Sequence, residues 1–360
     1  MKKYFYIFFL LFSFTANAQS KVYILSIDGT INPAASDYIV MGINKANEEN
    51  VECVIVKLNT PGGLLKSTRV IVSEFLSSKV PVIVYVTPGG AQAASAGVFI
   101  TMAANIAAMA PGTNIGAAHP VSTQGQMDST MSLKVTNDAA AFIRTISEKR
   151  KRNIKWAEEA VRQSVSITDN EAVKKNVVNL IADNIPDLLK KINGEKVETS
   201  EGEKILNTED VKIVNYDMNF SQKLLNVISD PNISYILFML GLYGLLFEIF
   251  SPGSIFPGVI GGICIILAFY AMHTLPINYA GLALIIFAVI LFILEIKIVS
   301  HGVLMIGGII SLILGSVMLI DVKSMWGILT ISWEVITMIV IITVLFFFVI
   351  IGLGIKSSEE

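Results

Sequence analysis

Two kinds of apolar pattern divide the chain. Between residues 22 and 215 short apolar runs alternate with amphipathic stretches, and after residue 232 the runs become long and nearly unbroken. In the first part, 22–27 is a β-branched run closed by Asp28-Gly29, and Ile39, Ile43 and Ala46 then recur at helical spacing. A second strand is predicted over 51–58, ending at Asn59-Thr-Pro-Gly-Gly63, then a helix over 67–76 and a third strand over 80–86. A short fourth strand is predicted over 106–110. Strands alternating with helices imply βαβ units and a largely parallel core, hence an α/β domain. Residues 122–132 carry Gly, Gln, Ser and Thr without apolar period and read as a mobile loop. A helix is predicted from Lys134, with Ala141, Ile143 and Ile146 inside, closing at the basic Lys149-Arg-Lys-Arg152. Another covers 156–161, and Thr168-Asp-Asn-Glu171 has capping-box spacing. Smaller pieces at 177–181, 188–192 and 211–214 complete a domain over 19–218, and 219–232 form an amphipathic linker.

The long runs fall at 233–250, 255–272, 279–294, 303–320 and about 333–355. Each is near the ~20 residues that cross a bilayer. The expectation is an all-α membrane domain of about five helices over 233–355 and a tail over 356–360. Five spans starting outside put Lys297, His301 and Lys356 inside and Lys323 outside, in line with the positive-inside rule. Gly258 and Gly262 suit close helix packing. Glu248, Glu295 and Lys297 lie at span ends and read as interfacial rather than as an ion path. At the other end, Met1-Lys2-Lys3, apolar residues 4–14 and Ala16-Asn17-Ala18 have the three regions of a secretory signal, with cleavage expected after Ala18. The α/β domain is then expected on the extracytoplasmic side of an inner or plasma membrane.

Composition is the average of these two parts: 53% of the 360 residues are hydrophobic and 16% charged. A net charge of −2 gives no basic surface for nucleic acid. Cys53 and Cys264 fall in a predicted strand and a predicted membrane helix, so neither a disulfide nor metal-ligand spacing is expected. With three histidines in the chain, a zinc site or a Ser-His-Asp triad has little to draw on. No metal and no cofactor is expected.

The candidate chemistry centres on Pro88-Gly-Gly-Ala-Gln-Ala-Ala-Ser95-Ala-Gly97. An apolar strand runs into a glycine turn, and one hydroxyl follows among small residues at the start of a helix. Free N–H groups there suit a serine nucleophile, because they favour a developing oxyanion. Loops at the carboxyl ends of neighbouring parallel strands meet at one sheet edge, so Gly62 and Gly63 can bring backbone N–H groups beside Ser95. With the N–H of Ala96 they form an oxyanion-hole candidate. The base is open between His119, near the site on the following loop, and a lysine kept neutral by burial. Lys134 opens the helix after the loop, and Lys57, Lys66 and Lys79 are alternatives.

Asn59-Thr-Pro-Gly-Gly63, Ala93-Ala-Ser95-Ala-Gly97, Ala110-Pro-Gly-Thr-Asn-Ile-Gly-Ala-Ala-His119-Pro120 and Lys134 together resemble the NfeD family, as does Phe247-Glu-Ile-Phe-Ser-Pro-Gly253 in the membrane part. The resemblance implies a membrane-bound serine protease of the ClpP class on the ClpP/crotonase fold. It implies Ser95 as nucleophile, Lys134 as general base, and an oxyanion hole from Gly62, Gly63 and Ala96. The implied substrates are hydrophobic segments of stomatin-like (SPFH) membrane proteins, and the expected assembly is a homo-oligomer, dimer or larger. Long members of the family carry an OB-fold domain after the membrane helices. The sequence ends four residues beyond Lys356, so the expectation is that this domain is absent and that a separate short OB-fold protein is a partner. The alternative is a non-proteolytic membrane scaffold partnering stomatin-like proteins. An acyl-CoA enzyme of crotonase type is disfavoured by the secretory signal.

Overall fold

The β-branched runs become strands of one parallel sheet, and its two faces are buried against different layers. A computed structural model describes residues 19–121, 129–250, 255–274, 277–298, 300–320 and 331–358. The α/β part runs β1 (Lys21–Asp28), α1 (Pro33–Glu49), β2 (Cys53–Asn59), α2 (Leu65–Ser77), β3 (Val82–Val86), β4 (Gln92–Ala94), α3 (Ala96–Ala103), β5 (Ile106–Met109) and β6 (Asn114–Gly116). It continues with α4 (Ser129–Lys149), α5 (Ile154–Arg162), β7 (Ser166–Thr168), α6 (Asp169–Lys174), β8 (Leu180–Ile181), α7 (Ile185–Ile192), β9 (Lys196–Thr199), β10 (Gly202–Ile205) and β11 (Lys212–Asn215).

The main sheet has the order β11-β1-β2-β3-β5-β8, with every neighbouring pair parallel. Alternate residues of its central strands enter different cores. Val54, Val56, Val82 and Val84 pack with α1 to α5, whereas Ile55, Ile83 and Tyr85 pack with α7 and the β9–β10 hairpin. Burial on both faces is why these strands read as near-continuous apolar runs. α1 starts on an Asn32 cap, whose side chain accepts from Ala35 N–H at 2.8 Å, with Pro33 at its first position. The capping box at Thr168 and Glu171 forms as expected and opens α6.

A second sheet, β4-β6-β7, departs from the expected pattern. Its three-residue strands, Gln-Ala-Ala, Asn-Ile-Gly and Ser-Ile-Thr, are too short to show an alternation. α4 also begins at Ser129, five residues ahead of the expected start at Lys134, so 129–132 are helical rather than loop. The expected secretory signal and the remainder of that loop, 122–128, lie outside the described residues.

The linker folds as α8 (Phe220–Ile228), and the apolar runs fold as α9 (Pro231–Phe250), α10 (Ile255–Thr274), α11 (Tyr279–Lys297), α12 (Val303–Leu319) and α13 (Trp333–Ser358). α9, and α10 through Met272, are long and apolar enough to cross a membrane, with mean hydropathy 2.0 and 2.2; Tyr279–Glu295, Val303–Leu319 and Trp333–Phe347 are shorter apolar stretches. α9 and α10 approach closely through Gly244 and Gly261: a Cβ on Gly261 would lie 2.8 Å from Leu245 N. Gly262, expected at such a contact, faces open space, because neighbouring helical residues differ by 100° and Gly261 takes the inward position. Gly258 instead abuts the Glu248 side chain.

Candidate active site

The site forms where β2 ends. Thr60 N–H donates to Gln92 O (2.8 Å) and Thr60 O accepts from Ala94 N–H (3.0 Å), which joins this edge to β4. Two residues on, Ile31 N–H donates to Gly62 O (2.8 Å) and Leu64 N–H to Ile31 O (2.9 Å). The Pro61-Gly62-Gly63 turn is thus held between β4 and the residue ahead of the α1 cap. Because Ile31 bonds to the two residues flanking Gly63, the N–H of Gly63 itself points away from Ile31. Thr60 Oγ1 locks the turn, accepting from Gly62 N–H and donating to Gly62 O, both at 3.0 Å. Asn59 completes the edge: its Nδ2 donates to Asp28 Oδ1 (2.8 Å), and its Oδ1 accepts from Gln92 N–H (3.1 Å).

Ser95 joins β4 to α3 with φ +52° and ψ −109°, a conformation closed to most non-glycine residues. Its side chain does not cap α3, and its N–H donates to Gly116 O at 3.0 Å. A strained strand-to-helix turn of this kind turns a hydroxyl outward from the backbone. Glycine at 62 lets the turn lie against that hydroxyl: a Cβ there would fall 2.7 Å from Ser95 Cβ and 3.1 Å from Ser95 Oγ. Glycine at 97 is needed for the same edge, since its Cβ would lie 2.8 Å from Thr60 Cγ2.

The amides around the hydroxyl divide into used and unused. Gly62 N–H is taken by Thr60 Oγ1, and Ser95 N–H by Gly116 O. Gly63 and Ala96 N–H have no internal acceptor among the described residues. Of the three amides the sequence offers, two are therefore open to a ligand.

All eight residues of α3 are buried, and its carboxyl end is held by two arginines beyond α4. Arg150 Nε donates to Ala103 O (2.7 Å), while Arg152 donates through Nε to Met102 O and through Nη2 to Ala104 O, both at 3.2 Å. Arg152 also reaches Val177 O (3.0 Å) and Asn179 Oδ1 (2.8 Å). Burial pushes its guanidinium down to about 9, with the Arg150 charge adding to the effect. It stays charged at neutral pH and complements the negative end of the α3 dipole.

Lys134 lies near the start of α4, exposed, with no hydrogen bond to Ser95 among the described residues. The direction of α4 nevertheless brings it to the right end of the domain. Phe142 of α4 stacks on Phe99 of α3 with centroids 5.6 Å apart, and further along Arg150 meets Ala103 O. Asp138 pairs with Arg69 of α2 (2.6 Å), and further along Arg150 Nη2 meets Phe75 O (3.2 Å). Both sets of contacts make α4 parallel to α2 and α3. Tracing backward reaches Lys134 on α4, the Gly62-Gly63 turn ahead of α2, and Ser95 at the head of α3. Lys134 and Asp138 are four apart and share a face.

His119 is half-buried and strapped to α5: its Nδ1 lies 2.9 Å from Val161 O. A carbonyl only accepts, so Nδ1 carries the proton there. Lys57 is half-buried within β2, Lys66 is exposed on α2, and Lys79 pairs with Glu201 at 3.0 Å. Thr60, Arg150 and Arg152 are supporting residues that the sequence reading passes over. Their signals are a Thr two residues before a turn glycine and the basic cluster that closes the helix from Lys134.

Comparison with known proteins places these features. Residues 21–216 match the family model described as NfeD1b, N-terminal domain, and residues 232–352 match the NfeD integral membrane domain. The chain is 37% identical over 306 residues to the membrane-bound protease PH1510 of Pyrococcus horikoshii, covering 84% of this chain and 69% of that one. Among solved structures it is similar to 1510-N, a membrane-bound stomatin-specific protease. A lysine-to-alanine mutant of 1510-N in complex with a substrate peptide matches at TM-score 0.55 and 35% identity, over 59% of this chain and 98% of that one. A serine-to-alanine mutant matches at TM-score 0.53 and 36% identity, over 56% and 100%. The α/β part thus has the fold of the 1510-N membrane-protease domain, joined to an integral membrane domain. The chain belongs to the NfeD family.

Proposed function

We propose that the chain is a membrane-anchored serine endopeptidase in which Ser95 attacks the peptide carbonyl and Lys134 takes its proton. The Gly63 and Ala96 N–H groups receive the oxyanion, while Gly62 gives the nucleophile room and belongs to the wall of the hole. The observation that carries this reading is the Ser95 conformation, strained at the head of a buried helix and packed against a glycine turn with an open amide. The solved relatives support it, since a lysine and a serine were the residues replaced in them. Their specificity for stomatin makes hydrophobic segments of stomatin-like (SPFH) proteins the proposed substrates. We place the α/β domain on the extracytoplasmic side and expect a homo-oligomer, with a short OB-fold protein as a further partner. His119, its Nδ1 held by α5, has a structural role.

A second reading, a scaffold without proteolysis, is favoured by one observation: Lys134 stands in solvent. A lysine acts as a base only once it loses water and its proton, so oligomer contacts or bound substrate must cover it. The purified full chain decides between the readings. The first expects labelling by a fluorophosphonate probe and cleavage of a hydrophobic peptide, both lost in Ser95→Ala, and cleavage lowered roughly 10³-fold or more in Lys134→Ala. Cleavage that survives Ser95→Ala rejects the dyad. Absence of labelling in an intact wild-type chain supports the scaffold.

A further inference from the structure

Helix α8 turns an apolar stripe outward. It is capped by a box between Asn219 and Gln222 and ends two residues before α9. Two of its polar side chains face the protein: Gln222 is buried with Nε2 3.1 Å from Met41 Sδ, and Asn226 Oδ1 accepts from Asn32 Nδ2 at 3.0 Å. Three of its apolar side chains face outward, while Ile228 is buried and Leu225 half-buried. Phe220 is 82% exposed, Leu224 42% and Val227 54%. At 100° per residue these three span about 60° of one face, and the exposed Lys223 flanks them. A helix on a water-facing surface carries polar residues along such a face.

We propose that Phe220, Leu224 and Val227 seat α8 in the headgroup–acyl boundary of the bilayer, as an interfacial helix lying along the membrane. The occupant is lipid because α8 runs directly into α9, an apolar helix of 20 residues whose first turn is fixed to it: Ser234 Oγ donates to Ile228 O at 2.6 Å. Nine residues at 1.5 Å each give a contact about 13 Å long. Interfacial helices of this kind bury such a stripe to the depth of the acyl boundary, and Lys223 extends its ammonium to lipid phosphates. The helix also grips the α/β domain. Asn226 bonds Asn32, and Asn32 follows Ile31, whose backbone holds the Gly62-Gly63 turn. The bilayer surface therefore sets the height of this sheet edge, whatever chemistry the edge performs.

The test is spin labelling of the full chain in liposomes of phosphatidylcholine and phosphatidylglycerol, with Cys53 and Cys264 replaced by serine. Labels at 220, 224 and 227 are expected to collide several-fold more with oxygen, and several-fold less with a water-soluble nickel chelate, than a label at Ser221. Nickel access equal to that at Ser221 overturns the proposal. Shielding from both reagents also overturns it, since a second copy or another protein then covers the stripe. Phe220→Trp provides a second measurement against the parent chain. The added emission is expected to be blue-shifted and quenched by brominated lipid, and emission at the wavelength of aqueous indole refutes lipid contact.

Discussion

Gly62→Ala separates two costs that the Pro-Gly-Gly turn combines. Gly62 has φ +134°, and a methyl group there would sit 2.7 Å from Ser95 Cβ. Gly202, in the β9–β10 hairpin away from the site, has a similar φ of +120° with nothing within 4 Å of the added atom. Gly202→Ala therefore carries the backbone strain alone, about 1–3 kcal/mol. Gly62→Ala adds overpacking of about 1–3 kcal/mol, for a total of about 2–6 kcal/mol. At about 2–4 °C per kcal/mol for an α/β domain of this size, the excess of Gly62→Ala over Gly202→Ala is about 2–12 °C in melting temperature. The clash is relieved by opening 2.7 Å to an ordinary contact of 3.4–4 Å, a shift of 0.7–1.3 Å. A nucleophile misplaced by about 1 Å loses about 10²-fold in rate. The assay is peptide cleavage by the full chain in detergent, normalised to the fraction folded, with melting followed in parallel. Gly62→Ala with the same melting shift as Gly202→Ala and an undiminished kcat would falsify the contact and the role built on it.

Three further outcomes follow from the same geometry. Thr60→Val keeps the methyl against Gly97 but strands the Gly62 N–H, at a cost of about 1–3 kcal/mol. Thr60→Ser should restore most of it, as read by thermal denaturation. Arg152→Met leaves the carbonyls of Met102, Ala104 and Val177 without this donor. A loss of roughly 3 kcal/mol or more is expected by chemical denaturation, and a loss under about 1 kcal/mol refutes the capping role. Glu49 is held at about 2 against an ordinary 4.5, first by the Lys21 ammonium 2.8 Å away and then by the Tyr23 hydroxyl. A depressed carboxyl contributes stability that is complete above pH 4.5 and is lost as pH falls towards 2. Denaturation midpoints for Glu49→Gln should therefore fall less steeply over that window than those of the wild type.

Much of the α/β architecture was legible in the sequence because burial on both faces of a parallel sheet leaves continuous apolar runs. The β4-β6-β7 sheet was not, since strands of three residues such as Asn114–Gly116 carry too few side chains for a period. At the site, the glycine turn and Ser95 were visible as residue types, and their contact was proposed from strand ends alone. Which amides remain open was not visible. That depends on one hydroxyl, Thr60 Oγ1, choosing Gly62 over water. Nor does residue type show that Arg152, just past the end of α4, lies buried under α3 while Lys134, eighteen residues earlier, stands in solvent. A basic cluster and a helix start read alike on either side of the surface.

Helix α3 has eight residues, about 12 Å end to end, and no face on solvent. An element enclosed so completely is fixed at both tips, by the Ser95 turn at one and by the arginines at the other. Arg150 and Arg152 hold its far tip by hydrogen bonds from the segment into which α4 runs, and α4 also carries Lys134. The two members of the proposed dyad thus sit on helices that share one anchor, the basic segment 150–152.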